Sequence, residues 1–243
     1  ELGGVPDGYV LATKADRNLQ TGDFSGDQIR RSIERSLRLL GLDRLSMVYL
    51  HDPEHAAFDD IMAPGGPADV LRNFVDQGVV GHIGVAGGPI DLMIRYVETG
   101  AFEAVISHNR YTLLNRSADP LLTVAAARGL GVANAAPYGS GILAKGPSAY
   151  PRYAYQVAED DVIARASQIE ALCREAAVPM AAVALQFSLR DPRIHSTIVG
   201  MSKPERLQQT VALAATPVPE GLWAAVERVA RPTMNDPEAN RRR

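Results

Sequence analysis

The sequence predicts a parallel α/β barrel of the (β/α)8, or TIM, type, with two of its eight units lying outside the numbered chain. Three observations carry this. Short apolar runs alternate with amphipathic helical stretches six times at nearly regular spacing, as repeated βαβ units do. The run Leu45-Ser46-Met47-Val48-Tyr49-Leu50 has five large apolar residues in six, which is how a strand buried on both faces reads. It stops on His51, followed by the turn signal Asp52-Pro53, and a polar residue at the C-terminal end of a buried strand is where barrels keep their chemistry. Eight such units take about 250 residues or more, and six elaborated units already fill the 243 here. The chain opens on Glu1, in what reads as the end of an element, so the other two units are expected before it. An open six-stranded sheet is the alternative, and it would leave the first and last strands as unpaired edges.

Taken in order, Tyr9–Lys14 is a short apolar strand ending on a cation. Ser25-Gly26-Asp27-Gln28 is a capping box, and it opens a helix that turns Ile29, Ile33, Leu37 and Leu40 inward and stops at Gly41. After the His51 strand comes a helix with Val70, Leu71, Phe74 and Val75, closed by Gly78. The strand Val79–Ala86 turns at Gly87-Gly88-Pro89 into a helix carrying Ile90, Met93, Ile94 and Val97, which Gly100 ends. Ala104–Asn109 is a strand, Pro120 opens a helix running to Arg128, and Gly131–Ala136 is the next strand. A long loop holding Tyr150, Tyr153 and Tyr155 follows, then helices over Val162–Ala177 and Met180–Leu189. Ser196–Gly200 is the last strand. Ser202-Lys203-Pro204-Glu205 reads as a second capping box, before a helix with Leu207, Val211 and Leu213, and Glu220–Ala230 forms a final helix with Trp223 and Val226 inward. Residues 1–230 are thus expected to form one barrel domain, and the Arg-rich segment 231–243 a flexible tail.

The bulk composition excludes several classes of function. With 46% hydrophobic and 22% charged residues, the chain is of ordinary globular composition. A net charge of -3 gives no surface for nucleic acid or for a membrane. The single cysteine, Cys173, cannot form an internal disulfide and suits a reducing compartment, so a cytoplasmic location is expected. No stretch reads as a secretory signal or a membrane span. Nothing in the sequence indicates an oligomeric state.

The chemistry is sought at the strand ends. Lys14 and His51 close consecutive strands, so in a parallel barrel their side chains stand side by side. His51-Asp52-Pro53-Glu54-His55 also fits the H-x-x-E-H zinc pattern, but that pattern requires a helix, and Pro53 after a strand denies it. No metal site is therefore expected. Gly139-Ser140-Gly141-Ile142-Leu143-Ala144 fits the dinucleotide fingerprint G-x-G-x-x-A, yet Lys145-Gly146-Pro147 breaks the helix that the fingerprint needs. The helix start at Ser202, with Lys203 and Arg206, is an anion-binding candidate.

The segments LATK, LGLDRLSMVYLHDPEH, HIGVAGG, NRYTLLNR, APYGSGILAKG and IVGMSKPERL resemble, in this order, the aldo-keto reductases. The resemblance runs from Tyr9 to about Val229. Within the family it is nearest the branch of D-threo-aldose (L-fucose) and pyridoxal dehydrogenases, through RYTLL, SGILA and AAVALQF. It implies an eight-stranded barrel that binds NADP(H) or NAD(H) without a Rossmann domain, with a catalytic group of Asp, Tyr, Lys and His. The lysine falls on Lys14 and the histidine on His51, and the Asp and Tyr are expected before Glu1. A cation beside a phenol lowers its pKa, which suits proton exchange near neutral pH. The imidazole of His51 would orient the substrate carbonyl.

For the cofactor, the resemblance implies contacts from His108 and Asn109. It sets the pyrophosphate along Pro137, Tyr138, Gly139, Ser140, Gly141 and Ile142, and the adenosine near Gly200, Ser202, Lys203, Arg206 and Gln209. The chain departs from the family where Ala86-Gly87 replaces Ser-Asn, His108 replaces Gln, Ala135 replaces the aromatic that stacks on nicotinamide, and Gln209-Thr210 replaces Glu-Asn. The expected activity is hydride transfer between NAD(P) and a small polar aldehyde, aldose or pyridoxal-like substrate, with Tyr150, Tyr153 and Tyr155 as a wall against its ring or as loop anchors. The rival is a cofactor-binding barrel without useful turnover, acting as a sensor or partner subunit.

Overall fold

The computed structural model describes residues 4–238. The chain divides into two compact units, Glu1–Ile106 with Ala127–Gly131, and Ser107–Ala126 with Val132–Arg243.

The first unit opens with β1 (Ala12–Ala15), α1 (Gly26–Leu40), β2 (Leu45–His51), α2 (Phe58–Met62), α3 (Pro67–Asp76), β3 (Val80–Ala86) and α4 (Ile90–Glu98). Its strands are parallel, in the order β1-β2-β3-β4, where β4 is Ala104–His108. Lys14 stands opposite Tyr49, and His51 opposite Ala86. The Ser25 half of the first capping box forms as the sequence predicts. Ser25 takes extended backbone geometry and its Oγ accepts the Gln28 N–H at 3.2 Å. Gly41, at φ 65°, closes the helix in the left-handed region. Ile29 and Ile33 are fully buried, whereas Leu40, on the last turn, is 46% exposed. Gly26 is required by packing, because a Cβ there would lie 2.0 Å from the Gly65 carbonyl oxygen. Leu45, Val48 and Leu50 of β2 have no exposed surface, the state that the unbroken apolar run predicts. Tyr9 and Val10 are 74% and 73% exposed, so the first strand begins later than their apolar character suggests.

Strands β4 and β5 (Gly131–Ala135) pass through both units. In the first, the Gly131 N–H donates to the Glu103 carbonyl at 2.9 Å; in the second, the Asn109 N–H donates to the Ala135 carbonyl at 3.2 Å. The second unit continues with α5 (Asp119–Ala127), α6 (Ile142–Lys145), a small antiparallel hairpin of β6 (Arg152–Tyr153) and β7 (Gln156–Val157), α7 (Asp160–Glu175), α8 (Met180–Leu189), β8 (Ser196–Ile198), α9 (Pro204–Ala215) and α10 (Glu220–Ala230). β8 pairs with β5 in parallel, Ala135 opposite Ile198. Leu121, Leu122, Ile142, Leu143, Ile169 and Val183 form its apolar centre. The helix after Gly141 is only four residues long and ends at Gly146, φ 87°, as the Lys-Gly-Pro break predicts. Among the described residues no single helix is long and apolar enough to cross a membrane.

Two expectations are corrected. Ser202 does not cap α9: Pro204 takes the first helical position, so the flanking residue is Lys203, whose ammonium has no oxygen to offer. Leu207 and Val211 of that helix are 56% and 61% exposed. The segment from Arg231 does not fray over residues 231–238. Asn115 Nδ2 donates to Thr233 Oγ1 and the Asn235 carbonyl, Arg110 pairs with Asp236 at 2.6 Å, and Glu238 is 5% exposed. The rest of the expected tail, 239–243, lies outside the described residues.

Candidate active site

In the first unit, parallel register sets the chemistry. Ala15 stands opposite Leu50, so the next step pairs Asp16 with His51. Side chains on a strand alternate, and Lys14 and Asp16 therefore share a face. Lys14 Nζ lies 3.2 Å from His51 Nε2, and Asp16 Oδ2 lies 2.6 Å from His51 Nδ1. The carboxylate fixes the tautomer: the Nδ1–H donates to Asp16, and Nε2 is left to accept from the Lys14 ammonium. Asp52 Oδ1 lies 3.4 Å from the same Nε2, on a residue at φ 47°. Burial opposes ionisation of Asp16, but its hydrogen bond and charge interaction with His51 outweigh that and lower its pKa. Helix α1 holds the backbone of Asp16 from both sides. Gln28 Nε2 donates to its carbonyl at 3.1 Å, and its N–H donates to Ser32 Oγ at 3.2 Å. Gln28 thus serves the site instead of reaching back to close the capping box.

Beyond β3, Glu54 Oε1 accepts the Gly88 N–H at 3.0 Å. A Cβ at Gly87 would lie 2.8 Å from Glu54 Oε2 and from Met93 Sδ. A side chain at this position, where the resemblance expects asparagine, would require Glu54 and Met93 to shift. The H-x-x-E-H residues fall on different elements, His51 on β2 and His55 on a 3-10 turn (Pro53–His55), and no group of His, Cys, Asp or Glu able to hold a metal is found among the described residues.

The second unit builds another polar cluster at the end of β4. His108 Nε2 lies 3.0 Å from Glu238 Oε1, which also accepts from Asn109 Nδ2 at 3.3 Å and Arg110 Nη1 at 3.4 Å. Arg110 is fully buried and also donates to Asp236 and to the His108 carbonyl. Burial alone would raise the pKa of Glu238, but the His108 hydrogen bond and charge, with Arg110, hold it at about 2. Asn109 Oδ1 accepts from Ser140 Oγ at 3.3 Å, and Ser140 Oγ in turn accepts the Tyr155 N–H at 3.2 Å. Ser140 is therefore already tied into the loop on both sides. Asp52, Asn109 and Ala136 each follow the last residue of a strand with φ between 47° and 57°. Left-handed backbone in such residues concentrates at functional sites.

The structure brings Lys14 and His51 together, and separately His108, Asn109 and Ser140. Pro137, Gly139 and Ile142 are buried within the loop, with Tyr138 and Gly141 half-buried. Gly200, Ser202, Lys203, Arg206 and Gln209 are all exposed. Their segment follows β8, and the Ala136 N–H donates to the Ile198 carbonyl at 3.2 Å, so the loop after β5 and the turn after β8 leave adjacent strand ends. Of the three loop tyrosines, Tyr153 is a loop anchor and no wall: it is 7% exposed and its hydroxyl bonds to the Asn109 carbonyl and Thr112. Sequence reasoning missed Asp16, Gln28, Arg110 and Glu238. The Lys-x-Asp spacing could have revealed Asp16; no local signal marks Glu238.

Comparison with known proteins fits this geometry. A sequence profile described as "Aldo/keto reductase family" matches residues 3–231. The chain is 37% identical over 204 residues to D-threo-aldose 1-dehydrogenase of a Pseudomonas species, covering 83% of this chain and 61% of that protein. It is 28% identical over 235 residues to L-galactose dehydrogenase of Arabidopsis thaliana (93% and 72% covered) and 27% over 212 residues to pyridoxal 4-dehydrogenase of Microbacterium luteolum (84% and 62%). The chain thus spans about three fifths of the length of the two bacterial relatives. In structure it matches the holo form of an aldo-keto reductase from Bacillus halodurans with a TM-score of 0.74 at 18% identity, over 94% of this chain and 74% of that one, a likeness of fold. The chain belongs to the aldo/keto reductase family.

Proposed function

We propose that the protein is an NAD(P)-dependent oxidoreductase acting on a small polar aldehyde, aldose or pyridoxal-like substrate. The observation that carries this reading is the Lys14–His51–Asp16 cluster at the ends of two consecutive parallel strands. The family profile and the names of the relatives above, all dehydrogenases, support turnover over a sensor role. β1 is paired along one edge by β2, and β8 along one edge by β5; two further strands would complete the eight-stranded barrel of this reading.

The residues suit an anionic dinucleotide. The turn Gly139-Ser140-Gly141 runs through left-handed backbone, at φ 56°, 61° and 118°, a conformation in which successive N–H groups can face one anion. Lys203 and Arg206 add exposed positive charge after β8. His108, Asn109, Pro137–Ile142, Gly200, Ser202, Lys203, Arg206 and Gln209 are the residues we assign to it, with Ser140 acting by holding the loop. When bound, the nicotinamide supplies or accepts the hydride.

This chain's own groups handle charge and proton. The ammonium of Lys14 favours an anionic oxygen beside it, whether a phenolate or the oxygen of a carbonyl under reduction. His51 accepts at Nε2 while neutral; with a second proton, held by the Asp16 carboxylate, Nε2 becomes a donor toward that oxygen. The test is spectrophotometric. The intact protein should change NAD(P)H absorbance with at least one of an aldose, pyridoxal or a simple aldehyde. Cofactor binding with no turnover on any of these would favour the sensor instead.

A further inference from the structure

The hairpin β6–β7 turns on two residues, Ala154 and Tyr155, since Tyr153 pairs with Gln156. Both have positive φ, 47° and 67°. Two-residue turns of this kind are the province of Asn-Gly, and alanine and tyrosine are held there only under strain. The restraints are visible. Arg152 Nη2 donates to the Tyr155 carbonyl at 2.6 Å, the Tyr155 N–H donates to Ser140 Oγ, and buried Tyr153 anchors the preceding residue to Asn109 and Thr112. The turn buries Ala154 completely and leaves Tyr155 49% exposed. The Tyr155 ring centroid lies 6.4 Å from that of His108, tilted by 46°.

A strained turn clamped from three sides thus holds a large aromatic ring half in solvent beside a candidate cofactor residue. Glycine at 155 would give the same turn without strain. We propose that Tyr155 is a ligand-contacting residue whose ring stacks on the face of a ring of the bound ligand, with His108 beside it. The inference rests on the oxidoreductase reading, which offers two sources of such a ring: the pyridine ring of the nicotinamide cofactor, and the sugar or pyridine ring of the substrate.

Three variants of the intact protein separate ring from strain. Tyr155→Gly removes both, Tyr155→Ala removes the ring and keeps the strain, and Tyr155→Phe keeps the ring. Melting temperature should rise in the glycine variant and fall in the alanine variant. Both should nevertheless lose affinity by roughly three- to tenfold, the scale of an aromatic stack, and phenylalanine should restore it to within about twofold. Titration with NADH, NADPH and ADP-ribose, which lacks the pyridine ring, identifies the source. Weaker NAD(P)H binding with unchanged ADP-ribose binding assigns the stack to the cofactor. A raised substrate KM with unchanged cofactor affinity assigns it to the substrate. Wild-type affinities and KM in both the glycine and alanine variants would overturn the proposal while leaving the oxidoreductase reading standing. A wild-type protein that neither binds NAD(P)H nor turns over would overturn both.

Discussion

Two histidine–carboxylate pairs sit at strand ends in this chain, and they differ in how deeply the carboxylate is buried. His51 and His108 are equally exposed, with 24% and 25% of each side chain open to solvent. Their partners differ. The side chain of Asp16 is 31% exposed and the residue directly follows the strand next to that of His51, whereas the side chain of Glu238 is 7% exposed and lies 130 positions along the chain from His108. Around His51 the second neighbour is an exposed lysine; around His108 it is a fully buried arginine that also holds Asp236. A carboxylate that keeps water can orient an imidazole while the ring remains open to substrate. One sealed against a buried guanidinium acts as a lock. The same pair of groups can therefore serve chemistry or architecture, and the burial of the carboxylate decides between them.

The largest expected effect breaks the lock. Glu238→Ala would leave Arg110 buried with one counter-charge fewer, and removing one partner of a buried pair costs about 3–5 kcal/mol. Urea unfolding should show that loss. Glu238→Gln, which keeps an oxygen for Asn109, should lose less. An alanine variant as stable as wild type would show that the segment 231–238 contributes little.

The opposite pattern is expected at the other pair. Lys14→Met removes an exposed charge and keeps most of the stem, so stability should hold. Turnover should fall by at least ~100-fold, and the optimum for oxidation should move upward in pH, since that direction needs a proton acceptor that the cation no longer favours. Steady-state kinetics against pH, with a cofactor titration alongside, tests this. Near-normal rates would remove Lys14 from the mechanism.

Asp16→Asn sharpens the contrast. The amide can present its NH2 group to Nδ1 and so reverse the tautomer of His51. A loss on the order of tenfold in turnover is expected, through misorientation of the ring, with cofactor affinity unchanged. An equal fall in stability and rate would make Asp16 a lock as well.

The smallest effect is in acid. Glu238 has its pKa depressed from an ordinary 4.5 to about 2. Its contribution to stability is therefore complete above about pH 4.5 and is lost as pH falls toward 2. Asp191, held at about 2 against the opposing effect of burial by Arg193 and Tyr111, titrates over the same range. The difference between wild type and Glu238→Gln should thus shrink between pH 4.5 and 2, which isolates Glu238 from that background. A constant difference across this range would mean that the charge of Glu238 is not what stabilises the segment.

Much of this was legible before any coordinates. Unbroken apolar runs require strands buried on both faces, and the helical periodicity between them requires parallel crossovers, so β2, β3 and their helices follow from local pattern. The meeting of Lys14 and His51 was legible because consecutive parallel strands end side by side. The exposed face of α9 was not legible, because periodicity tells which side of a helix is apolar and not whether anything covers it. The cap at Ser202 failed on one step of register, since Pro204 takes the first helical position. The Arg-rich segment after α10 looked frayed by composition, yet Arg110, Asn109 and His108 order residues up to 238 through partners more than 120 positions away. Sequence by itself determined the strand–helix order and the two residues that close consecutive strands, because those depend on local period and chain direction. Only the tertiary structure decided which carboxylate each histidine meets and how deeply it is buried, because that depends on distant segments and on the water their packing excludes.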